Sequence, residues 1–443
     1  MPGTLVVGLK KSGIASLELL LRQGAEVFAT DLKPLEELPE AREFLSEHRV
    51  AFDRQSNDLL HRSWDRIVIS PDVPADLAPL EDARYRGIQV IGEVELAAPL
   101  LKGRTIGVTG SNGKTTTTSL IGHILRESGV TVQVGGNIGT PVTSMIGSSR
   151  DDGWNVLELS SFQLETIREF RAHIGVCLNV TQNHLDRHHT FENYAAAKGR
   201  LFETQQPGDF AVLNADDPVC VKYAGHTKAT PQWFSGTHKV VPGAQLCGDK
   251  LVLDTQLLMT ASDVPIRGRH NLENVLAASI AAARAGVNHE AIRAAVRTFH
   301  AVEHRLEFVR SLNGIDFYND SKATSVDAAL KAIDAFPGGL WIILGGKDKG
   351  LDYSLLREPL KAKAHAALLI GAAAAKIAGQ LENTVPLVQS GTLDAAIGYA
   401  FQHADAGDTV LLAPACASFD QFRSYEHRGE VFKQLVNQLQ ARD

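Results

Sequence analysis

The segment GVTGSNGKTTTTSL, residues 107–120, sets glycines, a lysine and threonines where phosphate chemistry needs them. In a glycine-rich turn between a strand and a helix, backbone N–H groups, the helix N-terminus and a lysine side chain converge on phosphate oxygens. Gly110, Ser111, Asn112, Gly113, Lys114, Thr115 and Thr116 follow the pattern G-x-x-x-x-G-K-[ST], except that Val108 stands at its first glycine. Gly110 is placed to take over the tight turn. The plainer alternative, a strand-to-helix turn that happens to hold a lysine, leaves four aligned features unexplained, so the segment reads as a nucleotide site. Glu158, in the alternating apolar run NVLELSS (155–161), is the kind of strand-end carboxylate that a nucleotide-bound Mg2+ uses beside Thr115. Taken alone, Glu158 reads as a solvated edge carboxylate.

Three other stretches carry reactive types. NVTQNHLDRHHT (179–190) brings three histidines and an aspartate together, but H-x-x-x-H without a cysteine partner supports zinc weakly, and a solvated polar turn explains it as well. ENYAAAKGRLF (192–202) has helical spacing, with Lys198 where a lysine ordinarily faces solvent or the helix dipole. GLKKSG (8–13) follows a strand, with Asp31 at the end of the next, and imitates a dinucleotide fingerprint. Lys10 fills the middle glycine position, where it would crowd a pyrophosphate. An NAD-dependent dehydrogenase is therefore the competing enzyme class, and a ligand-free turn explains that stretch equally well.

These residues need a scaffold, and the chain supplies α/β elements. Short apolar runs alternate with helix-length periodic segments, the pattern of parallel sheets. LVVG (5–8), EVFATD and RIVIS form a first block, closed by the proline-punctuated PDVPADLAPL. NVLELSS, IGVCLNVT (174–181) and FAVLNADD (210–217) form a second, followed by a turn-rich region around residues 231–265. IDFYND, LWIILGG, AALLIG and TVLLAPA form a third. The strand at 106–108 is followed by a helix over 116–125. The expected domains are 1–97, 98–302 and 303–443.

The 443 residues suffice for about three domains. With 44% hydrophobic residues the cores can be large, and a formal charge of −7 argues against nucleic acid as a partner. No apolar run reaches the ~18 residues of a membrane span. The strand-like TLVVG near the start lacks a basic, apolar leader, and the four cysteines (177, 220, 247, 416) include no C-x-x-C pair. A reducing cytoplasm is the expected location.

Taken in order, TGSNGKTT, GGNIG (135–139), LELSSFQLE, NHLDRH, YAAAK, GRHNLENVLAA (268–278), EHRLE (303–307), NDSKATS (319–325), LGGKDKG (344–350) and PACASFDQF (414–422) resemble the Mur ligase family. The likeness runs from the first strand to the last helix. NDSKATS and PACASFDQF select within the family, pointing to its D-glutamate-adding branch. The nucleotide loop and HNLEN are shared also with folylpolyglutamate synthase.

The resemblance implies three α/β domains: an N-terminal Rossmann-like one for the UDP-sugar, a central P-loop-type one for ATP, and a C-terminal Rossmann-like one for the amino acid. It implies an ATP-dependent amide ligase of cytoplasmic peptidoglycan synthesis, acting as a monomer on UDP-N-acetylmuramoyl-L-alanine and D-glutamate through an acyl phosphate. His184 matches a residue holding a second Mg2+, and Lys198 matches a lysine carbamylated by CO2. A carbamate is an anionic oxygen ligand where an ammonium would repel the metal. Its formation needs a neutral amine, hence a depressed lysine pKa. Asn137 matches an asparagine near the reacting carboxylate; Asn271, Arg305 and Asp320 match residues near ATP. Thr324, Lys349, Ser418 and Tyr425 match the D-glutamate site, and Ser12, Asp31, Lys33 and Ser70 the UDP-sugar site. Lys10, Gln182, Asn183, Lys347 and Tyr425 depart from the usual family types without removing a residue the mechanism needs. The alternatives are a sister Mur or folylpolyglutamate-type ligase that uses another amino acid, and a non-catalytic nucleotide-binding regulatory relative, the latter opposed by the intact set Lys114, Glu158, His184 and Lys198.

Overall fold

Three open sheets position these residues in a computed structural model that describes residues 3–300 and 302–442, the side chain of Asp186 excepted. The chain divides into two compact units, Met1–Thr260 with Glu273–Val296, and Ala261–Leu272 with Arg297–Asp443. The first unit holds two of the sheets. Strands β1 (Thr4–Val7), β2 (Val27–Asp31), β3 (Ala51–Arg54), β4 (Arg66–Ile69) and β5 (Gln89–Gly92) are all parallel, in the order 3-2-1-4-5. Leu5, Val6 and Val7 are fully buried, as an unbroken apolar run is when helices cover both faces. The order reverses beside β1, so a crevice opens at the carboxyl ends of β1 and β4.

The larger sheet comprises β6 (Arg104–Thr109), β7 (Val132–Gly136), β8 (Trp154–Glu158), β9 (Ile174–Cys177), β10 (Phe210–Asn214), β11 (Thr230–Ser235), β12 (Gly243–Cys247), β13 (Lys250–Leu253) and β14 (Gln256–Thr260), in the order 14-13-12-11-10-9-6-8-7. β6 lies between β8 and β9, which puts Val108 opposite Glu158 and Thr109 opposite Cys177. The nucleotide loop thus leaves the middle of the sheet at a second switch point. In the other unit, β15 (Glu307–Leu312), β16 (Ile315–Asn319), β17 (Leu340–Gly345), β18 (Ala364–Ile370), β19 (Leu387–Gly391) and β20 (Thr409–Leu412) take the order 15-16-20-17-18-19, with only β15 antiparallel. Among the described residues no helix is long and apolar enough to cross a membrane.

Several elements depart from the sequence expectation. The region 231–265 is not merely turn-rich: β11–β14 fill most of it. Cys247 pairs with Lys250 and Leu253 with Gln256, each across a two-residue turn, and Asp254 and Thr255 adopt φ of 46° and 72°. Such left-handed pairs match the twist of tight hairpins, so short strands hide among polar turn residues. PDVPADLAPL does not close the first block, since helix Ala78–Tyr85 begins within it and β5 follows. β15 and β19 also escaped notice, being mixed in polarity. The helix after the nucleotide loop begins at Lys114, not Thr116, and runs to Glu127.

Within the first unit, two buried glutamates join the segment after β5 to the larger sheet. Glu95 accepts backbone N–H bonds from Arg168, Glu169 and Phe170 at 2.8, 2.8 and 3.1 Å. Glu93 accepts the amide and the hydroxyl of Thr143 at 2.6 and 2.9 Å. Removing the Glu95 carboxylate leaves three amides to find new acceptors. Glu95→Ala should lower unfolding free energy by about 2–4 kcal/mol, and Glu95→Gln, which keeps one acceptor oxygen, by less. Urea denaturation checks both the loss and the ranking.

Candidate active site

The nucleotide loop is held shut by its own chain. Gly113 caps the helix at φ +85°, and a Cβ there would meet Asn274 Oδ1 at 2.4 Å, so only glycine fits. Ser111 N–H donates to Asn179 O at 2.8 Å, and Asn112 N–H to Asn179 Oδ1 at 2.9 Å. Ser111 Oγ donates to Thr181 O, accepts from Thr181 N–H and lies 2.9 Å from Tyr194 Oη. The loop is therefore fastened to the segment leaving β9. Thr115 and Thr116 begin the helix in buried positions. Lys114 Nζ folds back onto the carbonyl oxygens of Gly110 and Ser111, at 2.8 and 3.0 Å.

A second lysine reaches the same place. Lys198 projects from helix Phe191–Glu203 and is 1% exposed. Its Nζ donates to Gly110 O at 2.9 Å and sits 4.6 Å from the centroid of the Tyr194 ring. Burial pushes its pKa far below the usual lysine range, and the nearby Lys114 ammonium pushes it further down. Helical spacing alone would leave this side chain facing solvent, whereas the family resemblance implies a depressed pKa, and that is the direction the burial gives. Lys198 is buried because Tyr194, one helical turn earlier, holds it against the loop.

Glu158 is also no edge carboxylate. It is 2% exposed at the end of β8, where Asn137 Nδ2 donates to its Oε1 at 2.8 Å and Asn137 N–H to its backbone oxygen at 2.8 Å. Its other oxygen, Oε2, is buried without a hydrogen-bond partner. An ionised oxygen so placed is costly unless something positive meets it. A buried carboxylate oxygen and the hydroxyl of Thr115, in the first turn of the helix, are donors of the kind a hard divalent cation takes.

His184 is exposed in the left-handed region (φ 52°), with its ring 5.0 Å from Phe162 and 6.3 Å from Tyr194. Its ring and the Lys198 amine are thus both gathered around Tyr194. The other two histidines of the run do different work. His188 is buried between Ser161 Oγ at 2.9 Å and Glu165 at 3.1 Å, and His189 lies 2.8 Å from Asp76. Among the described residues, which exclude the Asp186 side chain of this run, no group of three or more His, Cys, Asp or Glu is arranged to hold a metal. Arg187 pairs with Glu165 at 2.7 Å and donates to Val73 O at 2.8 Å, tying this segment to the SPDVP loop.

In the N-terminal crevice, Ser70 Oγ donates to Gly8 O at 2.6 Å, while Asp31 accepts Leu9 N–H at 2.7 Å and Lys33 N–H at 2.9 Å. Asp31 thus closes the β1 and β2 loops around the crevice. Ser12 lies in the first turn of the following helix, Lys11–Arg22, and Lys33 lies 3.7 Å from Glu37. Lys10 does not crowd the turn: its exposed side chain swings out to Asp72 at 2.6 Å.

In the second unit, four stretches supply the remaining candidates. Asn271 Nδ2 donates to Arg267 O. Asp320 is buried with a pKa pushed up to about 6, because desolvation outweighs the pull of Arg305 and of the Leu306 amide. Arg305 Nε is buried without a partner. Thr324 is half-buried, Lys349 exposed, Ser418 buried, and Tyr425 begins the last helix. Sequence reasoning missed Tyr194 and Arg428. The four-residue spacing Tyr194–Lys198 was the available signal for the first. For the second it was the spacing Arg428–Phe432–Val436, which puts an arginine on an apolar face.

Asp320 yields a pH prediction. A carboxyl whose folded pKa is raised burdens the native state above that pKa, and the burden fades as pH falls toward the unfolded value. Asp320→Asn should therefore raise unfolding free energy by about 2 kcal/mol near pH 7 and by less near pH 5, while lowering turnover. Denaturation at the two pH values reads the difference.

Comparison with known proteins bears on what this geometry serves. Family profiles match residues 3–92 (Mur ligase MurD-like, N-terminal domain), 108–282 (Mur ligase middle domain) and 304–416 (Mur ligase, glutamate ligase domain). A UDP-N-acetylmuramoylalanine–D-glutamate ligase of Solibacter usitatus is 74% identical over 439 residues, covering 99% of this chain and 98% of that protein. A protein of the same name from Acidobacterium capsulatum is 52% identical, covering 98% and 95%. In fold, the chain is similar to a pseudomurein peptide ligase type C of Methanothermus fervidus (TM-score 0.62, 18% identity, 99% and 100% covered). It is equally similar to a UDP-N-acetylmuramate–alanine ligase of Thermotoga maritima (TM-score 0.62, 16% identity, 98% and 99% covered). Sheets, nucleotide loop and full-length likeness agree: this chain belongs to the Mur ligase family.

Proposed function

We propose that the chain joins D-glutamate to UDP-N-acetylmuramoyl-L-alanine, at the expense of ATP, in cytoplasmic peptidoglycan precursor synthesis. The observation that carries the reading is the meeting of Lys114 and the buried Lys198 amine at one carbonyl oxygen, beside a Glu158 oxygen without a partner. Full-length relatives named for D-glutamate ligation select the substrates. The proposed domains are 1–97 for the UDP-sugar, 98–302 for ATP and 303–443 for the amino acid, all on one chain acting as a monomer.

In the first step a carboxylate oxygen of the UDP-sugar substrate attacks the γ-phosphorus, and the bond to the β–γ bridging oxygen breaks, releasing ADP and leaving an acyl phosphate. Both reactants are anions, so the protein's task is alignment and charge neutralisation. Lys114, already over the loop, turns its ammonium to the phosphates, while the Gly110–Thr116 amides cradle them. Asn137 fixes Glu158 and sits where the reacting carboxylate approaches. Asn271, Arg305 and Asp320 serve the nucleotide, Arg305 at the γ-phosphate. Bound Mg2+ screens phosphate charge in such a reaction, and Thr115, Glu158, His184 and carbamylated Lys198 are the residues we assign to two ions. The depressed Lys198 pKa supports the modification, because neutral amine adds to CO2 and sheds a proton.

In the second step the free amine of D-glutamate attacks the acyl carbonyl, phosphate leaves, and the amine gives up a proton as the amide forms. Thr324, Lys349, Ser418 and Tyr425 hold the two carboxylates and leave the amine unencumbered. Ser12, Asp31, Lys33 and Ser70 receive the uridine nucleotide in the N-terminal crevice.

ADP release with UDP-N-acetylmuramoyl-L-alanine should require D-glutamate and fail with L-glutamate, L-lysine or meso-diaminopimelate. Turnover with another amino acid moves the chain to a sister ligase, and ATP binding without turnover makes it a non-catalytic relative. Lys198→Ala should lose at least the roughly hundredfold that even an outer metal partner can cost, and a short-chain carboxylic acid should restore part of it.

A further inference from the structure

The three loops and the helix that carry Thr324, Lys349, Ser418 and Tyr425 meet at a single side chain. Arg428 lies in the last helix, Tyr425–Gln438, and is fully buried. Its Nε donates to Ser321 Oγ at 3.0 Å and its Nη2 to Ser321 O at 2.8 Å. Nη1 and Nη2 both donate to Cys416 O at 3.2 Å. Ser321 belongs to the stretch that holds Thr324, and its Oγ donates in turn to Tyr425 O at 2.8 Å. Cys416 lies two residues before Ser418, in a turn where Ala415 takes a φ of 56°. A non-glycine residue in that region is strained and persists only where neighbours hold it. The third loop is tied to the same turn: Lys347 N–H donates to Ala417 O at 2.8 Å, two residues before Lys349. At Gly346 a Cβ would lie 2.2 Å from Ala417 O and 3.2 Å from Arg428 Nη1, so this loop runs against the guanidinium itself.

All four hydrogen bonds of Arg428 go to neutral oxygens, and among the described residues it forms no ion pair. A buried charge is expensive to keep; burial draws its pKa down to about 10, outweighing the attraction of Asp420 from beyond ion-pair distance, and this still leaves it charged. An apolar side chain would pack this helix face, beside Phe432 and Val436, without that cost. A cation retained under three loops that end on hydroxyls and a lysine is suited to a ligand bringing more than one negative charge.

We infer that Arg428 is the positioning residue of the amino-acid site, setting the register of its three loops and supplying a fixed positive field for a dicarboxylate substrate. This rests on the D-glutamate reading above. The side chain acts through Ser321 and Cys416; it does not touch the substrate.

The test compares wild type with Arg428→Lys, Arg428→Gln and the milder Ser321→Ala, which removes one of the four bonds. ADP release gives KM and kcat, and the amino-acid-dependent rise in thermal midpoint reads binding without turnover. Arg428→Gln should raise the KM for D-glutamate by about tenfold or more, with kcat and the KM for the UDP-sugar within about threefold of wild type. Arg428→Lys, which keeps charge but not the fork, should fall between, and Ser321→Ala should show a rise of a few fold. Equal changes in both KM values, or an unchanged D-glutamate KM in Ser321→Ala and in any folded Arg428 variant, would overturn the inference. If wild type uses another amino acid, the D-glutamate reading fails while the same ratios still judge Arg428. A wild type that no amino acid turns over or shifts overturns both.

Discussion

One carbonyl oxygen, that of Gly110, receives two lysine amines, Lys114 at 2.8 Å and Lys198 at 2.9 Å. Two ammonium groups cannot share such a spot at the bottom of a packed sheet without strong repulsion. The buried partner yields: Lys198 is pushed toward its neutral form by desolvation first and by Lys114 second. Neutrality changes what the side chain is for. A charged lysine repels a metal, whereas a neutral one is a nucleophile toward CO2 and becomes an anion once it reacts. The arrangement also bears on stability. The unfolded chain holds the Lys198 proton up to ordinary lysine pH, so between its lowered folded value and the ordinary lysine range this residue makes stability rise with pH.

The surrounding elements follow from that constraint. The loop must not drift, so Ser111 and Asn112 are bonded to Asn179 and Thr181, and Gly113 is pressed against Asn274. Tyr194 spans the gap, with its hydroxyl on the loop and its ring under Lys198 and beside His184. Glu158 faces the same region from the adjacent strand, with Asn137 on one oxygen. Order reversal at β6 is what lets strand ends from both sides reach one loop. The second unit handles its charge differently, by bonding a buried cation to neutral oxygens and by keeping a buried carboxyl, Asp320, near its own protonation range.

Much of this was legible in the residues. Glycines and a lysine between a strand and a helix announce the loop, because few other uses of that spacing exist. The parallel α/β class follows from apolar runs alternating with helical periods. What escaped notice was set by tertiary neighbours. Lys198 shares its helix face with Tyr194, Ala195, Leu201 and Phe202, yet a lysine there ordinarily reaches out of an apolar face, and what holds its amine inside is Gly110, far away in sequence. Glu158 looks solvated until Asn137 is seen across the strand end. β13 and β14 are short and flanked by turn residues, so their pairing is visible only in register with β12. Lys10, by contrast, mattered less than its position suggested, because its side chain has Asp72 to reach for.

The central claim is that the amine at Gly110 is neutral enough to take up CO2 and so complete an anionic site. Equilibrating the protein with 13C-bicarbonate and recording its 13C spectrum tests this directly. The account predicts a carbamate resonance in wild type that is absent from Lys198→Met and is lost as pH falls and the amine takes a proton. A wild-type spectrum without that resonance, or one unchanged by the substitution, would contradict it.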